Sequence, residues 1–297
     1  MGLRDVDLPI LDCLSMVWPN GVGASMPIPR EAFRDEESLA AWPSTGIVNY
    51  LFKGAQERSR LSNEPGKVVE QYDRFNIAKG LTLVAMDDVP VVMDAIRPWA
   101  DRFIVGVRAN PHEGMRGIRK LEQLVRDYPQ IRTVSLSPHM LWPPIPPNSK
   151  EYYPIYAKCI ELGLPVYMNV GIPGPRVLGD CQNPAYLDEV LWFFPDLTIV
   201  MKHGGEPWAD MCVKLMLKWP NLYFATSAFA PKYYAPEIIQ YANTRGADRV
   251  LFAGYWPNLA YDDVFAQLEQ VPLRDHVWPK FLHENAARVF GVEVRSS

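Results

Sequence analysis

The sequence predicts an α/β fold, a single (β/α)8 or TIM barrel, from its length and from the order of its elements. Its 297 residues are close to the roughly 250 residues of a typical barrel of this class. Short runs with high β propensity recur along the chain with helical stretches between several of them, an alternation typical of βαβ units around a parallel sheet. Eight parallel strands with interleaved helices close as a barrel, whose active site lies at the strand ends.

The predicted strands are eight in number and follow the chain in the order LPILDCLSM, NIAKGLTLVA, RFIVGVRANP, IRTVSLSP, LPVYMNV, LTIVMKHGG, NLYFATSAF and RVLFAGYWP. Helical spacing of apolar residues predicts helices before the third to sixth strands, in DVPVVMDAIRPWA, MRGIRKLEQLVRDYP, EYYPIYAKCIELG and NPAYLDEVLWFFP. The last stretch, HENAARVFGV, predicts a closing helix that packs under the barrel. The whole chain, residues 1–297, is therefore expected to form one domain.

The segment from about residue 20 to residue 71 does not fit one strand and one helix. It is rich in polar residues, with scattered aromatic residues at Trp42, Tyr50 and Phe52. Long segments of this kind in a compact domain are usually functional. We expect a long insertion after the first strand that covers the barrel mouth or an interface.

Composition excludes several classes of protein. The apolar fraction of 48% and the charged fraction of 22% are typical of a soluble globular chain. No apolar run long enough for a membrane helix and no signal peptide is apparent, so we expect a cytoplasmic protein with no membrane partner. The net charge of −4 without a Lys/Arg cluster argues against nucleic acid as a partner.

The four cysteines are far apart, which favours buried free thiols over a zinc site or a disulfide framework. The expected partners are a small-molecule substrate and other subunits.

Three stretches carry a resemblance to a known family. LTIVMKHGGEPW looks like the sixth strand of the amidohydrolase-2 branch of the amidohydrolase superfamily, HENAARVFG looks like its C-terminal helix, and RVLFAGYWP looks like its eighth strand. The resemblance extends from Ile10 to Val292 and is to the branch that includes aminocarboxymuconate-semialdehyde decarboxylase. It implies a TIM barrel that acts on small molecules. Members of this branch are often dimers, so we expect a homodimer.

The metal ligands of that family do not carry over to this chain. The His-x-His of the first strand falls on Leu14 and Met16, the histidine of the fifth strand on Asn169, and the aspartate of the eighth strand on Tyr255. Zinc and similar ions need imidazole nitrogen, thiolate sulfur or carboxylate oxygen. We therefore expect no metal and no other cofactor.

The sixth-strand histidine is retained as His203, which the resemblance implies as a general acid/base. An imidazole with a pKa near 6.5 could serve in that role without a metal. Tyr255 either donates a hydrogen bond in place of part of the metal's role or only fills the vacated volume. Asn169 either contacts the ligand or joins a structural network with Tyr255 and His203. These three are the candidate catalytic residues.

Further residues are candidates for substrate binding. Arg108 can hold a carboxylate through a bidentate pair or can pair with an acidic neighbour at the rim. His139 and Ser227 follow the fourth and seventh strands, and Trp142, Trp208 and Trp256 lie in loops after the fourth, sixth and eighth. Aromatic residues at these strand ends predict an apolar pocket for a ring or acyl compound.

Two functions fit these observations. The first is a metal-independent amidohydrolase-like hydrolase or decarboxylase/lyase that acts on a small aromatic or cyclic carboxylate, with His203 as general acid/base. The alternative is a catalytically inactive barrel that serves as a binding, scaffold or accessory subunit. The discriminating feature is whether polar groups still converge in the barrel mouth.

Overall fold

The computed structural model describes residues 9–22, 28–40 and 51–293. These residues form one sheet of eight parallel strands that follow in chain order. The strands are β1 (Ile10–Asp12), β2 (Ile77–Ala85), β3 (Phe103–Arg108), β4 (Ile131–Leu136), β5 (Val166–Asn169), β6 (Ile199–Lys202), β7 (Leu222–Ala225) and β8 (Val250–Leu251). Each lies within one of the eight predicted runs, which confirms the fold class.

Helices separate the strands and cover the outside of the sheet. They are α1 (Glu36–Ala40), α2 (Ala55–Ser62), α3 (Pro65–Arg74), α4 (Val89–Ile96), α5 (Gly114–Asp127), α6 (Tyr153–Leu162), α7 (Tyr186–Phe193), α8 (Ala209–Lys218), α9 (Pro236–Ala242), α10 (Tyr261–Leu268) and α11 (Asn285–Phe290). The four helices predicted before the third to sixth strands correspond to α4, α5, α6 and α7. In the described part of the chain, none of the helices combines the length and the apolar character that crossing a membrane requires.

Side chains alternate along each strand between two separate apolar cores, because successive residues of a strand point to opposite faces. In β3, Val105 and Val107 face the surrounding helices, whereas Ile104 faces the barrel interior. In β6, Met201 belongs to the outer core and Val200 to the inner one. The last residue of β6, Lys202, therefore shares the inward face with Val200.

The ends of the sheet are joined through β1 and the segment that follows β8. The backbone N–H of Cys13 donates to Phe252 O at 3.0 Å, and the N–H of Tyr255 donates to Leu14 O at 2.9 Å. Asp12 is buried and accepts from the N–H groups of Leu14 and Gly254 at 2.9 and 2.8 Å. One carboxylate thus holds the first strand to the chain after the last one.

The base of the barrel is closed by α11, as predicted. Ala286 and Phe290 of this helix belong to the inner core. Asn285 begins the helix and its side-chain amide donates to the carbonyls of Ala247 and Val250, each at 2.8 Å. These bonds fix the helix beneath β8.

The predicted insertion is described only in part, and Trp42 and Tyr50 lie outside the described residues. Its described part forms α1, α2 and most of α3, and Val68 and Val69 of α3 pack into the outer core of the barrel. Phe52 contacts the ring of Tyr255, with ring centroids 5.5 Å apart. The described part of the insertion therefore reaches the barrel mouth.

Candidate active site

A cavity of about 410 Å³ opens at the C-terminal ends of the strands. Its wall combines apolar side chains with a few polar ones. The polar and charged residues of the wall are Arg108, Ser137, His139, Asn169, Gln182, Lys202, His203, Tyr233, Tyr255 and Asn258. Its volume falls within the range of small-molecule sites in proteins.

His203 lies in this wall, directly after β6, in an uncommon backbone conformation. Its φ of +73° places it in the left-handed region, and the two glycines that follow also have positive φ. A Cβ at Gly204 would lie 2.1 Å from the ring of Phe229, and one at Gly205 would lie 2.7 Å from Cys212 Sγ. The glycines therefore allow close packing of the turn against its neighbours.

Ser227 fixes the orientation of His203 through the hydroxyl group of its side chain. Its Oγ accepts the backbone N–H of His203 at 3.0 Å and lies 3.1 Å from the imidazole Nδ1. With Nδ1 held by this hydroxyl, Nε2 is the ring nitrogen left for other partners. The pKa of His203 is well below its usual value because burial disfavours the imidazolium form, with further repulsion from Lys202 and His139. The imidazole is therefore neutral at neutral pH in the ligand-free protein.

The four positions that correspond to the family's metal ligands lie together in the cavity wall. They are Leu14, Met16, Asn169 and Tyr255. Asn169 accepts a hydrogen bond from the hydroxyl of Ser137 at 3.1 Å. The pKa of Tyr255 is raised to about 12, chiefly by burial, so its phenol is protonated.

This donor set does not fit a divalent metal. Two apolar side chains, one amide and one neutral phenol do not supply the imidazole or carboxylate ligands that such ions require. The described part of the chain also contains no group of three His, Cys, Asp or Glu residues placed to hold a metal ion. No catalytic step that depends on a metal follows from these residues.

Basic side chains line the cavity wall, and carboxylates do not among the described residues. Arg108 at the end of β3 and Lys202 at the end of β6 line the cavity, and the wall includes no Asp or Glu among the described residues. Lys202 is only 2% exposed, and its Nζ donates to Ser135 Oγ at 2.9 Å. Burial lowers the pKa of Arg108 to about 10, although the negative charge of Asp88 opposes this shift. The Arg108 guanidinium, which stays charged at neutral pH, therefore makes the cavity electropositive and suited to an anion.

His139 also lines the cavity and is buried. Its pKa falls to about 4, first because burial disfavours the charged ring, and the neighbouring side chain of Gln182 partly offsets the effect. The amide nitrogen of Gln182 donates to Gly171 O at 2.7 Å. His139 is therefore a neutral polar group in the wall near neutral pH.

The structure brings together only part of the predicted site. The candidates in the cavity wall are His203, Asn169, Tyr255, Arg108 and His139. The remaining four, Ser227, Trp142, Trp208 and Trp256, are not part of it. Direct substrate contact by these four residues stays a prediction.

Each of the four has a different environment. Ser227 is fully buried behind His203. Trp256 is buried and stacks on Tyr261, with ring centroids 5.2 Å apart. Trp142 is 44% exposed to solvent. Trp208 precedes α8, where its carbonyl accepts the N–H of Cys212 at 2.9 Å.

Sequence reasoning missed Lys202. The sequence did contain a signal for it. Lys202 ends an otherwise apolar strand and lies two residues after Val200, so the two side chains point to the same face of the sheet. Which face is inward depends on barrel closure, and the strand run LTIVMKHGG does not specify it. Gln182 was missed because it lies in a 3-10 helix of three residues, which is too short to give a periodic pattern.

The chain belongs to the amidohydrolase family, whose sequence model matches residues 67–292. This membership places the protein among enzymes and agrees with the resemblance carried by the sixth strand and the C-terminal helix. A search of curated proteins found no match.

Solved structures share the fold over nearly the full chain. An uncharacterized TIM-barrel protein from Bordetella bronchiseptica is 25% identical, with 96% of this chain and 99% of that chain covered and a TM-score of 0.71. The 5-carboxyvanillate decarboxylase of Sphingomonas paucimobilis is 14% identical, with 97% and 100% covered and a TM-score of 0.71. A dihydroxybenzoic acid decarboxylase from Polaromonas sp. JS666, solved with bound manganese, is 16% identical, with 95% and 96% covered and a TM-score of 0.67.

Proposed function

We propose that this protein is a decarboxylase or related carbon–carbon lyase that acts on a small aromatic or cyclic carboxylate without a catalytic metal. One observation carries the proposal: an electropositive cavity without acidic residues in its described wall lies at the strand ends and contains His203. An anionic ligand is attracted to such a cavity, and the apolar part of the wall suits a ring. The decarboxylases of similar fold, whose named substrates are aromatic acids, support this reaction class.

In this proposal Arg108 holds the carboxylate, because its guanidinium can make paired, charge-assisted hydrogen bonds to one. His203 moves the proton. In the ligand-free protein its imidazole is neutral and can act as a base. A bound anion beside His203 raises the pKa of its imidazole, which favours the protonated form needed to return a proton to carbon after CO2 leaves.

The polar groups distinguish this proposal from an inactive barrel. Leu14 and Met16 have filled part of the mouth with apolar surface, as a disused site would. His203 and Tyr255, in contrast, both retain positive φ in the same wall. Strained residues persist where the surrounding structure maintains them, and they cluster at functional sites.

Turnover of 5-carboxyvanillate and 2,6-dihydroxybenzoate, followed by loss of substrate absorbance, tests the proposal. We expect activity that survives dialysis against a chelator, with metal content well below one ion per chain by elemental analysis. His203→Ala should lower turnover by about two to four powers of ten, the usual contribution of a general acid/base. His276→Ala, at an exposed histidine, is the matched control.

The possible outcomes separate the parts of the proposal. Activity that disappears with the chelator and returns with manganese would contradict metal independence. Equal turnover in His203→Ala and the wild type would remove the role of His203. Binding of these acids with no turnover would support the inactive-barrel alternative.

We also propose that the protein is a cytoplasmic homodimer. The four cysteines are buried and free, as is usual in a reducing compartment. The exposed apolar side chains include Leu51, which belongs to the predicted insertion and is 50% exposed. Apolar surface of this kind favours association with a second copy.

A further inference from the structure

Lys202 lies in the cavity wall, and the proton transfer proposed for His203 does not use it. Its side chain extends inward from the end of β6 and is held on two sides. Nζ donates to Ser135 Oγ at 2.9 Å and lies 5.0 Å from the centre of the Tyr167 ring. The amine is therefore fixed beneath the volume that a ligand would occupy.

The surroundings of Lys202 favour the neutral amine. Burial disfavours the ammonium form, and the nearby charge that acts on it, Arg108, has the same sign, so the pKa of Lys202 is well below its ordinary value. The described wall offers no carboxylate to offset this effect. Desolvation and a neighbouring cation are the two conditions that make a lysine nucleophilic near neutral pH.

We propose that Lys202 is an amine nucleophile that forms an imine with a ligand carrying both a carboxylate and a ketone or aldehyde. This inference rests on the proposed function, because Arg108 is again assigned to the carboxylate. It adds oxo acids to the substrate class of the proposed function. The imine promotes decarboxylation when the carbonyl group lies β to the carboxylate, as in a 3-oxo acid.

The chemistry needs no oxidant or reductant. The lone pair of Lys202 Nζ attacks the carbonyl carbon, a C–N bond forms, and the carbonyl π pair moves to oxygen, which takes up a proton. The amine loses a proton, and the hydroxyl leaves as water after a second protonation as the C=N bond forms. In a 3-oxo acid, the protonated imine accepts the electron pair of the C–CO2 bond as CO2 leaves. His203 then protonates the enamine at carbon, and water hydrolyses the imine to release Lys202.

Reductive trapping tests the inference without requiring turnover. The full-length protein is incubated with phenylglyoxylate, an aromatic oxo acid, and sodium cyanoborohydride, and the adduct is located by peptide mass spectrometry. Mandelate is the matched control ligand, because it keeps the ring and the carboxylate but carries an alcohol in place of the ketone. We expect an adduct on Lys202 in the wild type that mandelate suppresses by competition, and no adduct from mandelate alone.

Two substitutions at Lys202 and one at another lysine complete the design. Lys202→Met and Lys202→Arg should both lose the adduct, because neither side chain has a nucleophilic amine at neutral pH. Lys232→Arg should keep it, since Lys232 is an exposed lysine over the ring of the cavity residue Tyr233. If a Lys202 variant fails to fold, the peptide map of the wild type still decides the site.

Calorimetric titration separates failure of this inference from failure of the proposed function. Binding of both phenylglyoxylate and mandelate with no adduct on Lys202, or with labelling spread over exposed lysines, would overturn the imine while leaving the carboxylate site intact. If neither acid binds, the carboxylate site itself is overturned, and the imine with it.

Discussion

The residues of the cavity wall are shaped by backbone conformations that cost free energy. His203, Ala228 and Tyr255 have φ of +73°, +74° and +62°, although none is glycine. Each such residue costs on the order of 1–3 kcal/mol and persists only where neighbours maintain it. For His203 the Ser227 hydroxyl provides that support through both the backbone N–H and the ring. The positions of the imidazole and the phenol are thus set by the turns that follow their strands.

At the same scale, His139 makes stability depend on pH. In the unfolded chain it takes up a proton near pH 6.5, whereas in the folded protein its pKa is about 4. The unfolded state therefore binds more protons between these values, and stability falls as the pH is lowered from about 6.5 to about 4, by up to about 3 kcal/mol. We expect His139→Gln to flatten this dependence in urea unfolding experiments.

Asp12 has the opposite effect on the pH dependence of stability. Comparing the wild type with His139→Gln cancels this effect. Burial raises the pKa of Asp12 from 3.8 to about 6. The folded state then binds more protons in that interval, so this group costs stability as the pH rises through it. Because Asp12 is present in both proteins, the difference between wild type and His139→Gln reports His139. An identical pH dependence in the two would contradict the shift.

At the scale of elements, a buried polar network joins β1 to α3 and α10. The Tyr261 hydroxyl donates to Asp12 Oδ2 at 2.7 Å and lies 2.8 Å from Ser15 Oγ, which accepts from the Tyr72 hydroxyl at 2.9 Å. All four side chains are buried. Buried polar groups are costly when a partner is removed, because the remaining group is left unsatisfied. The network therefore stabilises the point where the barrel closes.

Tyr261→Phe tests the contribution of this network. The substitution keeps the ring but removes the donor to a buried carboxylate, and we expect a loss of about 1–3 kcal/mol in the free energy of unfolding. The measurement is urea unfolding at pH 7. Tyr233→Phe removes the hydroxyl of a tyrosine that is 60% exposed and should change stability by less than about 0.5 kcal/mol. Equal effects of the two substitutions would show that the network contributes nothing.

At this scale the sequence predicts much of the architecture. Strand runs, helix periodicity and the terminal helix all follow from local patterns, since each depends on residues near one another in the chain. Trp256 shows the limit. It follows the eighth strand, as a pocket residue would, but it comes directly after Tyr255, whose φ of +62° departs from extended backbone, and its ring stacks on Tyr261. The direction of a side chain after a strand depends on turns whose φ the sequence does not reveal.

At the scale of the whole molecule, we expect two copies of the chain to associate. Light scattering at micromolar concentration should give twice the 33.8 kDa mass of one chain. If the insertion lies at the interface, Leu51→Ser should weaken the dimer, because it removes exposed apolar surface from that segment. Trp192→Ser, at a residue of α7 that is 72% exposed, is the control outside the insertion. A monomeric wild type would contradict the proposed assembly.

The charge of the barrel mouth has a consequence for the protein in solution. Arg108 brings positive charge to a concave, largely apolar surface, and the carboxylate that acts on it, Asp88, is not part of the described wall. Anions in the surrounding solution are attracted to this surface, and the ligand is one of them. Chloride, acetate and phosphate from a buffer are attracted in the same way and would compete with a weakly bound carboxylate. The apparent affinity of this protein for its substrate is therefore a property of the surrounding electrolyte as well as of the cavity.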